Sequence, residues 1–256
     1  MKEQNVSLDV RSFLKTDGFL AGLMLFYVLF QLCSLNYGYH RDELYYIIMS
    51  ERLDFGYLEL PALAPFLLFL ARSVLGSSFT AIHVLPALSG AAVILFTFKM
   101  ARELGGKLGA ARLAAVAATL APQFLGSDSI YSYDYLDKFF WVMALYFLLR
   151  YFRRGTDRDL YLVGLAMGLG LLSKVTIVFL GGALVLGLLL TRYRKLFVRR
   201  QVYWAGGLAC IFALPYLLWQ ALHGWPTLEF YLHYASGKTY PVTALGFVGK
   251  IGRAHV

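Results

Sequence analysis

Residues 18–46, GFLAGLMLFYVLFQLCSLNYGYHRDELYY, join an apolar stretch to a polar segment that follows it directly. A helix needs about 20 mostly apolar residues to cross the hydrocarbon core of a bilayer, and Gly18–Leu35 approaches that length. The segment after it places two carboxylates, Asp42 and Glu43, just outside the membrane. A water-soluble group and a lipid-borne group can meet there, so this boundary is a candidate for interfacial chemistry.

The composition of the whole chain is that of a polytopic membrane protein. Of the 256 residues, 59% are hydrophobic and only 15% are charged, and the mean hydropathy is +0.61. A soluble domain could not bury that much apolar surface. The net charge is +9, but the Lys and Arg residues form short clusters between apolar runs, which indicates bilayer orientation and no nucleic-acid partner. Cys33 and Cys210 lie in apolar runs and indicate neither a disulfide nor a metal site.

Apolar windows along the chain predict an all-α bundle of transmembrane helices. The predicted spans are Gly18–Leu35, Phe79–Met100, Gly109–Leu125, Phe139–Phe152, Leu160–Leu172, Val175–Leu190 and Val202–Leu222. Pro61–Leu75 is ambiguous, and we assign it to the membrane surface together with the amphipathic stretch Asp42–Leu53. With that assignment every dense cluster of Lys and Arg falls on one side, which predicts a cytoplasmic N terminus. Gly164 and Gly168, four residues apart in an apolar helix, predict close helix packing.

The same assignment concentrates acidic residues on the outer side. They are Asp42, Glu43, Glu51, Asp54, Glu59, Asp128, Asp134, Asp137 and Glu229. Asp42 and Glu43 are candidates for a general base and its partner, since a carboxylate can take the proton of an attacking hydroxyl. The alternative is that both only begin a surface helix, whose N terminus favours negative charge. Asp134 and Asp137 are three residues apart, so on a helix they share a face.

Other functions could use these outer carboxylates. A small transporter or flippase could bind a coupling cation there, and a divalent metal ion could bind as well. No metal-ligand set is identified, because His40, His223 and His233 match no metal motif in their spacing. Lys174 at the outer end of a short span has two interpretations. It could snorkel to lipid headgroups, or its charge could hold a phosphate.

Several motifs together resemble a family of integral-membrane glycosyltransferases. That family, glycosyltransferase family 39 of the GT-C fold, includes protein O-mannosyltransferases and the bacterial aminoarabinose transferases of lipid A. The motifs are Arg41-Asp-Glu-Leu-Tyr-Tyr, Leu53-Asp-Phe-Gly-Tyr with Leu60-Pro-Ala-Leu, Tyr133-Asp-Tyr-Leu-Asp before Phe140-Trp141, Leu172-Ser-Lys and Gly224-Trp-Pro-Thr-Leu-Glu-Phe. Their order and spacing carry the resemblance, which no single motif would. The family often has two consecutive prolines where this chain has Pro61-Ala62.

The resemblance implies a fold, a reaction and a location. The fold is a GT-C-like transmembrane bundle with juxtamembrane helices in the first outer loop. The reaction moves a sugar, with inversion, from a polyprenyl-phosphate donor to a hydroxyl or phosphate of a lipid, glycan or protein acceptor. The location is the bacterial inner membrane, with the N terminus in the cytoplasm and the active site on the outer face among membrane lipids.

The resemblance also implies roles for individual residues. Asp42 matches the catalytic carboxylate, with Glu43 beside it. Lys174 matches the lysine that contacts the donor phosphate, and the same donor site is expected to include Arg41, Asp134 and Asp137.

The end of the chain carries a separate expectation. Family members usually continue with further spans, so residues 1–250 are expected to form the N-terminal transmembrane core of a longer architecture, and the truncated chain itself could be inactive. Residues 251–256, IGRAHV, can be encoded by DNA that reads like a sequencing-library adapter. We therefore expect them to be a non-native tail.

Overall fold

The described part of the chain is built from helices. A computed structural model describes residues 17–33 and 38–237, and its β structure there is limited to an isolated bridge between Gly56 and Pro61. The helices are α1 (Gly18–Cys33), α2 (Arg41–Glu51), α3 (Leu63–Leu75), α4 (Phe79–Glu103), α5 (Leu108–Leu120), α6 (Pro122–Asp128), α7 (Tyr133–Arg154), α8 (Asp157–Ser173), α9 (Ile177–Leu189), a 3₁₀ helix (Arg192–Val198), α10 (Arg200–Leu222) and α11 (Pro226–Gly237). The predicted all-α fold is confirmed. The predicted tail at residues 251–256 lies outside the described residues.

The helices have the lengths and composition of an integral membrane protein. Among the described residues, α4 and α10 are each long and apolar enough to cross a bilayer. Two more spans arise if each bent pair counts as one, α5 with α6 at a 55° bend and α9 with the 3₁₀ helix at a 108° bend. The helices α1 and α3 are apolar but shorter.

Two predicted spans differ from the helices found in the same parts of the chain. The window Gly109–Leu125 is broken at Ala121, because Pro122 has no N–H to continue the α5 hydrogen bonds and favours an extended residue before it. The window Phe139–Phe152 is the apolar part of a longer helix, α7. Six residues, 133–138, precede it in the same helix, and five of them are polar or aromatic. Ser132 caps their first turn by accepting from the Asp134 N–H at 3.2 Å.

Ion pairs hold helix termini together at one end of the bundle. Asp17 accepts from Arg112 at 3.1 Å and so joins the start of α1 to the start of α5. Glu103 pairs with Arg154 and joins the end of α4 to the end of α7. These residues define the basic end of the molecule. The starts of α4 and α7 therefore lie at the opposite end, which we call the site end.

Helix α3 packs along α2 at the site end. Arg72, in the last turn of α3, donates to Ser50 Oγ at 2.7 Å and pairs with Glu51 at 2.9 Å, both on α2. Near the start of α3, the Ala64 carbonyl accepts from the Tyr131 hydroxyl at 2.8 Å. With 13 residues, α3 is about 20 Å long, which is short of the roughly 30 Å hydrocarbon core. The surface position expected for Pro61–Leu75 stays a prediction.

Small residues bring α8 and α10 into close contact. A Cβ added at Gly164 would overlap the carbonyl of Ala205, and one at Gly168 would lie 2.9 Å from the Phe212 Cβ. The predicted role of this glycine pair in helix packing is confirmed. Helix α8 ends at Ser173, and Lys174 follows it directly at the site end.

Candidate active site

The N terminus of α2 is closed by a capping box. His40 is the N-cap residue, and its backbone N–H donates to Glu43 Oε2 at 2.9 Å. In the other direction, the Asp42 N–H donates to His40 Nδ1 at 3.3 Å. These bonds satisfy donors that the first turn of a helix leaves unpaired. Glu43 therefore takes part in the first turn of α2, and the alternative that the acidic pair only begins a surface helix stays a prediction.

Glu43 is buried, accepts two backbone hydrogen bonds and forms an ion pair with His83. In addition to the bond from His40, Oε1 accepts from the Tyr131 N–H at 2.8 Å and lies 2.7 Å from His83 Nε2. The side chain is 2% exposed. Burial alone would raise the pKa of the Glu43 carboxyl, but the contacts with His83, Tyr131 and His40 outweigh it and lower the pKa below its ordinary value. These contacts close Glu43 off from solvent, and its catalytic assignment stays a prediction.

Asp42 is on the open side of the same turn. Its carboxylate is 52% exposed and contacts the Arg41 guanidinium Nε at 3.3 Å. The Arg41 side chain is itself 91% exposed. A substrate can therefore reach Asp42 without displacing a buried partner, which a general base requires.

Lys174 points into the bundle. It follows the last residue of α8, and its Nζ donates to Asp134 Oδ1 at 2.6 Å. The same ammonium lies 4.5 Å from the centre of the Tyr133 ring, which is a cation–π contact. The Lys174 side chain is only 22% exposed, whereas Asp134 is 48% exposed. This orientation differs from snorkelling, in which the ammonium would extend outward to the headgroups.

Tyr133 lies at the start of α7, next to Asp134. Burial raises the pKa of the Tyr133 hydroxyl, and the charges of Asp134, Tyr231, Glu59 and Asp42 raise it further. Its backbone N–H donates to the Tyr46 hydroxyl at 3.1 Å, which ties the start of α7 to α2. The segment that contains α2 and the start of α7 therefore lie next to one another at this tyrosine.

Asp137 lies on the same helix face as Asp134, as their spacing predicted. Its Oδ2 accepts from Thr176 Oγ1 at 3.0 Å and its Oδ1 accepts from Trp141 Nε1 at 3.0 Å. Both aspartates therefore bind the connection between α8 and α9, Asp134 through Lys174 and Asp137 through Thr176. Asp137 fixes that connection beside α7.

Sequence reasoning missed a buried histidine and a buried ion pair. His83 was not considered, and its only signal is a lone histidine in the otherwise apolar first turns of α4. Asp128 and Lys138 were assigned to the outer side but not paired, although Lys138 Nζ lies 2.6 Å from Asp128 Oδ1. Tyr27 of α1 donates to the other Asp128 oxygen at 2.6 Å. In residues 17–33 and 38–237, no group of three or more His, Cys, Asp or Glu side chains is arranged to hold a metal ion.

Comparison with known proteins gives two matches. The family model described as dolichyl-phosphate-mannose-protein mannosyltransferase matches residues 59–219. Lipid A galacturonosyltransferase RgtD of Rhizobium johnstonii is 29% identical over 215 residues, which cover 78% of this chain and 43% of that protein. The chain therefore spans less than half the length of this relative. No solved structure gives a significant match.

Proposed function

Because the chain belongs to the dolichyl-phosphate-mannose-protein mannosyltransferase family, we propose that it transfers a sugar from a polyprenyl-phosphate donor to an acceptor hydroxyl or phosphate. The family assignment confirms the resemblance read from the motifs, and it favours a transferase over a transporter or flippase. We place the site end on the outer face of the bacterial inner membrane, with the basic end and the N terminus in the cytoplasm. The clustering of Lys and Arg supports this orientation.

One observation carries the assignment of the site. Lys174 pairs with Asp134 and lies 4.5 Å from the centre of the Tyr133 ring. The charge of Asp42, from α2, adds to the effect of burial in raising the pKa of the Tyr133 hydroxyl. We infer that a carboxylate able to accept a proton lies at the same end of the bundle as an ammonium able to hold an anion. Transfer of a sugar from a lipid phosphate to a hydroxyl acceptor can use both groups.

In the proposed reaction Asp42 is the general base. When the acceptor is a hydroxyl, its oxygen attacks the anomeric carbon while Asp42 takes the proton. When the acceptor is a phosphate, its oxygen is already ionised and attacks without a base. The bond from the anomeric carbon to the donor phosphate breaks, and the electron pair leaves with the polyprenyl phosphate. Attack from the side opposite the leaving group inverts the configuration at that carbon.

Lys174 is the proposed contact for the donor phosphate. An ammonium has three donors, and one is directed at Asp134 in the structure. A phosphate oxygen could take another donor in a charge-assisted hydrogen bond and so stabilise the charge that develops on the leaving group. Asp134 keeps the ammonium in place when no donor is bound. Asp137 and the exposed Arg41 belong to the rim of this proposed donor site.

The acceptor is proposed to be a lipid, because the chain is similar to a protein named as a lipid A galacturonosyltransferase. The half-exposed Asp42 at the membrane surface is suited to an acceptor headgroup that stays in the same leaflet as the donor. A glycan or a protein hydroxyl could use the same base, and the assay below includes them as competing acceptors.

The proposed function can be tested with the purified chain in nanodiscs. We expect a radiolabelled sugar to move from polyprenyl phosphate to lipid A, with one polyprenyl phosphate released per sugar. NMR of the product should show the opposite anomeric configuration to the donor. Retained configuration would refute the mechanism. Translocation of a solute across proteoliposomes without any sugar transfer would refute the function and support the transporter.

A further inference from the structure

The pair formed by His83 and Glu43 is a buried ionisable group that the proposed reaction does not use. His83 lies in the second turn of α4 with 1% of its side chain exposed, and Glu43 is 2% exposed. Burying a pair of ionisable side chains has a large desolvation cost, and such pairs are weak contributors to net stability. Its position next to Asp42 therefore calls for another explanation than stability.

The hydrogen bonds around the pair define its protonation. His83 Nδ1 lies 2.7 Å from the Phe79 carbonyl oxygen, which can only accept, so this nitrogen carries a hydrogen. His83 Nε2 lies 2.7 Å from Glu43 Oε1 at ion-pair distance, although its N–H is not directed well enough to form a regular hydrogen bond. Lone pairs on both atoms would repel one another at that distance, so one further proton lies between them. The Glu43 oxygens also accept from the N–H groups of Tyr131 and His40. Donors of this kind stabilise the carboxylate, which makes the pair an imidazolium and a carboxylate.

This pair joins three segments that together carry the site. His83 belongs to α4, and Glu43 closes the first turn of α2, where Asp42 is its neighbour. Tyr131 precedes α7, and Tyr133 follows two residues later. Because the backbone of Tyr131 and the backbone of His40 both bind the same carboxylate, the anion sets the separation between the Asp42 side of the site and the Tyr133 side.

We propose that His83 is a positioning residue for the transfer reaction, holding Glu43 as an anion so that Asp42 stays at a fixed distance from the group formed by Tyr133, Asp134 and Lys174. The proposal rests on the proposed function, and it adds a residue that the family motifs do not contain. His83 touches neither reactant. It acts through Glu43 on the placement of the base relative to the donor phosphate.

The kinetic test uses the full chain with His83→Gln, Glu43→Gln and the double variant. A misplacement of about 1 Å can cost about 100-fold in rate, so we expect His83→Gln to lower kcat by about 10- to 100-fold. The donor Kd should change less than about twofold, and one donor should still bind per chain, because the Lys174 group is untouched. The double variant should be no slower than the slower single variant, since both changes remove one interaction.

A matched control loosens the other end of α2. Ser50→Ala removes the acceptor of the Arg72 hydrogen bond but leaves the Glu43 contacts in place. We expect its kcat to stay within about threefold of the wild type. A loss as large as that of His83→Gln would mean that any loosening of α2 has the same effect, and it would overturn the specific role of His83.

Hydrogen exchange separates this proposal from the proposed function. In His83→Gln the amides at the start of α2 should exchange faster, whereas in Ser50→Ala faster exchange should be confined to the end of α2. Unchanged exchange at the start of α2 in His83→Gln would overturn the positioning role, whatever the transfer assay gives. If the wild type transfers no sugar but His83→Gln still loosens the start of α2, the proposed function fails, and the anchoring of α2 by His83 stands.

Discussion

Lys174 and Asp134 form an ion pair whose two members should have opposite effects on donor binding. Lys174→Gln removes the cation that we assign to the donor phosphate, whereas Asp134→Asn removes the anion that now occupies that cation at 2.6 Å. Asparagine keeps an oxygen that can accept from Lys174, so the ammonium should stay in place. The two variants therefore test, at one site, a charge that attracts the donor phosphate and a charge that competes with the phosphate for Lys174.

The magnitudes follow from burial and charge. A hydrogen bond to a charged group contributes about 1.5 to 3 kcal/mol, so Lys174→Gln should weaken donor binding about 10- to 150-fold. Asp134 is 48% exposed, and ion pairs with that exposure contribute about 0 to 1 kcal/mol. Removing its competition should leave the donor Kd unchanged or tighten it by up to about fivefold.

Titration of a polyprenyl-phosphate sugar against protein in nanodiscs, at one salt concentration, measures both effects. Lys107→Gln is the matched control, because it makes the same change in net charge beyond the end of α4, close to Glu103 of the basic end. We expect its donor affinity to match the wild type. Donor affinity of Lys174→Gln within about twofold of the wild type would refute the phosphate contact. Equal weakening by Asp134→Asn would show that Asp134 is needed to orient Lys174 and does not compete with the donor.

Three further predictions concern topology, packing and pH. In a cysteine-free background, Ser129→Cys should react with an impermeant thiol reagent from outside and Gly105→Cys should not; outside labelling of Gly105→Cys would reverse the proposed orientation. Gly164→Ala places a methyl group against a carbonyl of α10 and should destabilise the protein by about 1 to 3 kcal/mol. Gly187 has open space around it, so Gly187→Ala should leave the Tm nearly unchanged. Equal Tm values for the two variants would contradict the close packing at Gly164. The lowered pKa of Glu43 contributes stability that is fully present above the ordinary carboxyl pKa of about 4.3 and is lost as the pH falls through the lowered pKa. The difference in Tm between the wild type and Glu43→Gln should therefore shrink between pH 6 and pH 3. A constant difference would contradict the buried carboxylate.

Hydropathy predicted where the helices lie but not where they begin. It located the apolar part of α7 and missed the first turns, because Tyr133, Asp134 and Asp137 are polar or amphipathic. In the structure these residues are helical because Ser132 caps them and because their side chains pair with the α8–α9 connection. Those partners are about 40 residues away in the chain, so no local pattern reports them.

The sequence could suggest only part of the candidate site, because the contacts within the site join residues that are far apart in the chain. The spacing of Asp134 and Asp137 was sufficient to place them on one helix face, and the motifs were sufficient to bring Asp42 and Lys174 into one proposal. The sequence could not predict that Asp42 is exposed and Glu43 is buried, because two adjacent carboxylates look alike in sequence. Only the positions of His83 and Tyr131, from two other segments, make Glu43 the buried member.

The rate of sugar transfer by Asp42→Asn is the most direct test of the central claim. This change removes the proton acceptor and hardly alters the size of the side chain, so insertion, folding and donor affinity should stay at wild-type levels. General-base catalysis contributes typically about 100- to 10,000-fold, and the single-turnover rate with a hydroxyl acceptor should fall by that amount. Arg41→Gln, at the exposed neighbouring position, should lose much less. Transfer by Asp42→Asn at a rate close to that of the wild type would contradict the assignment of Asp42 as the base.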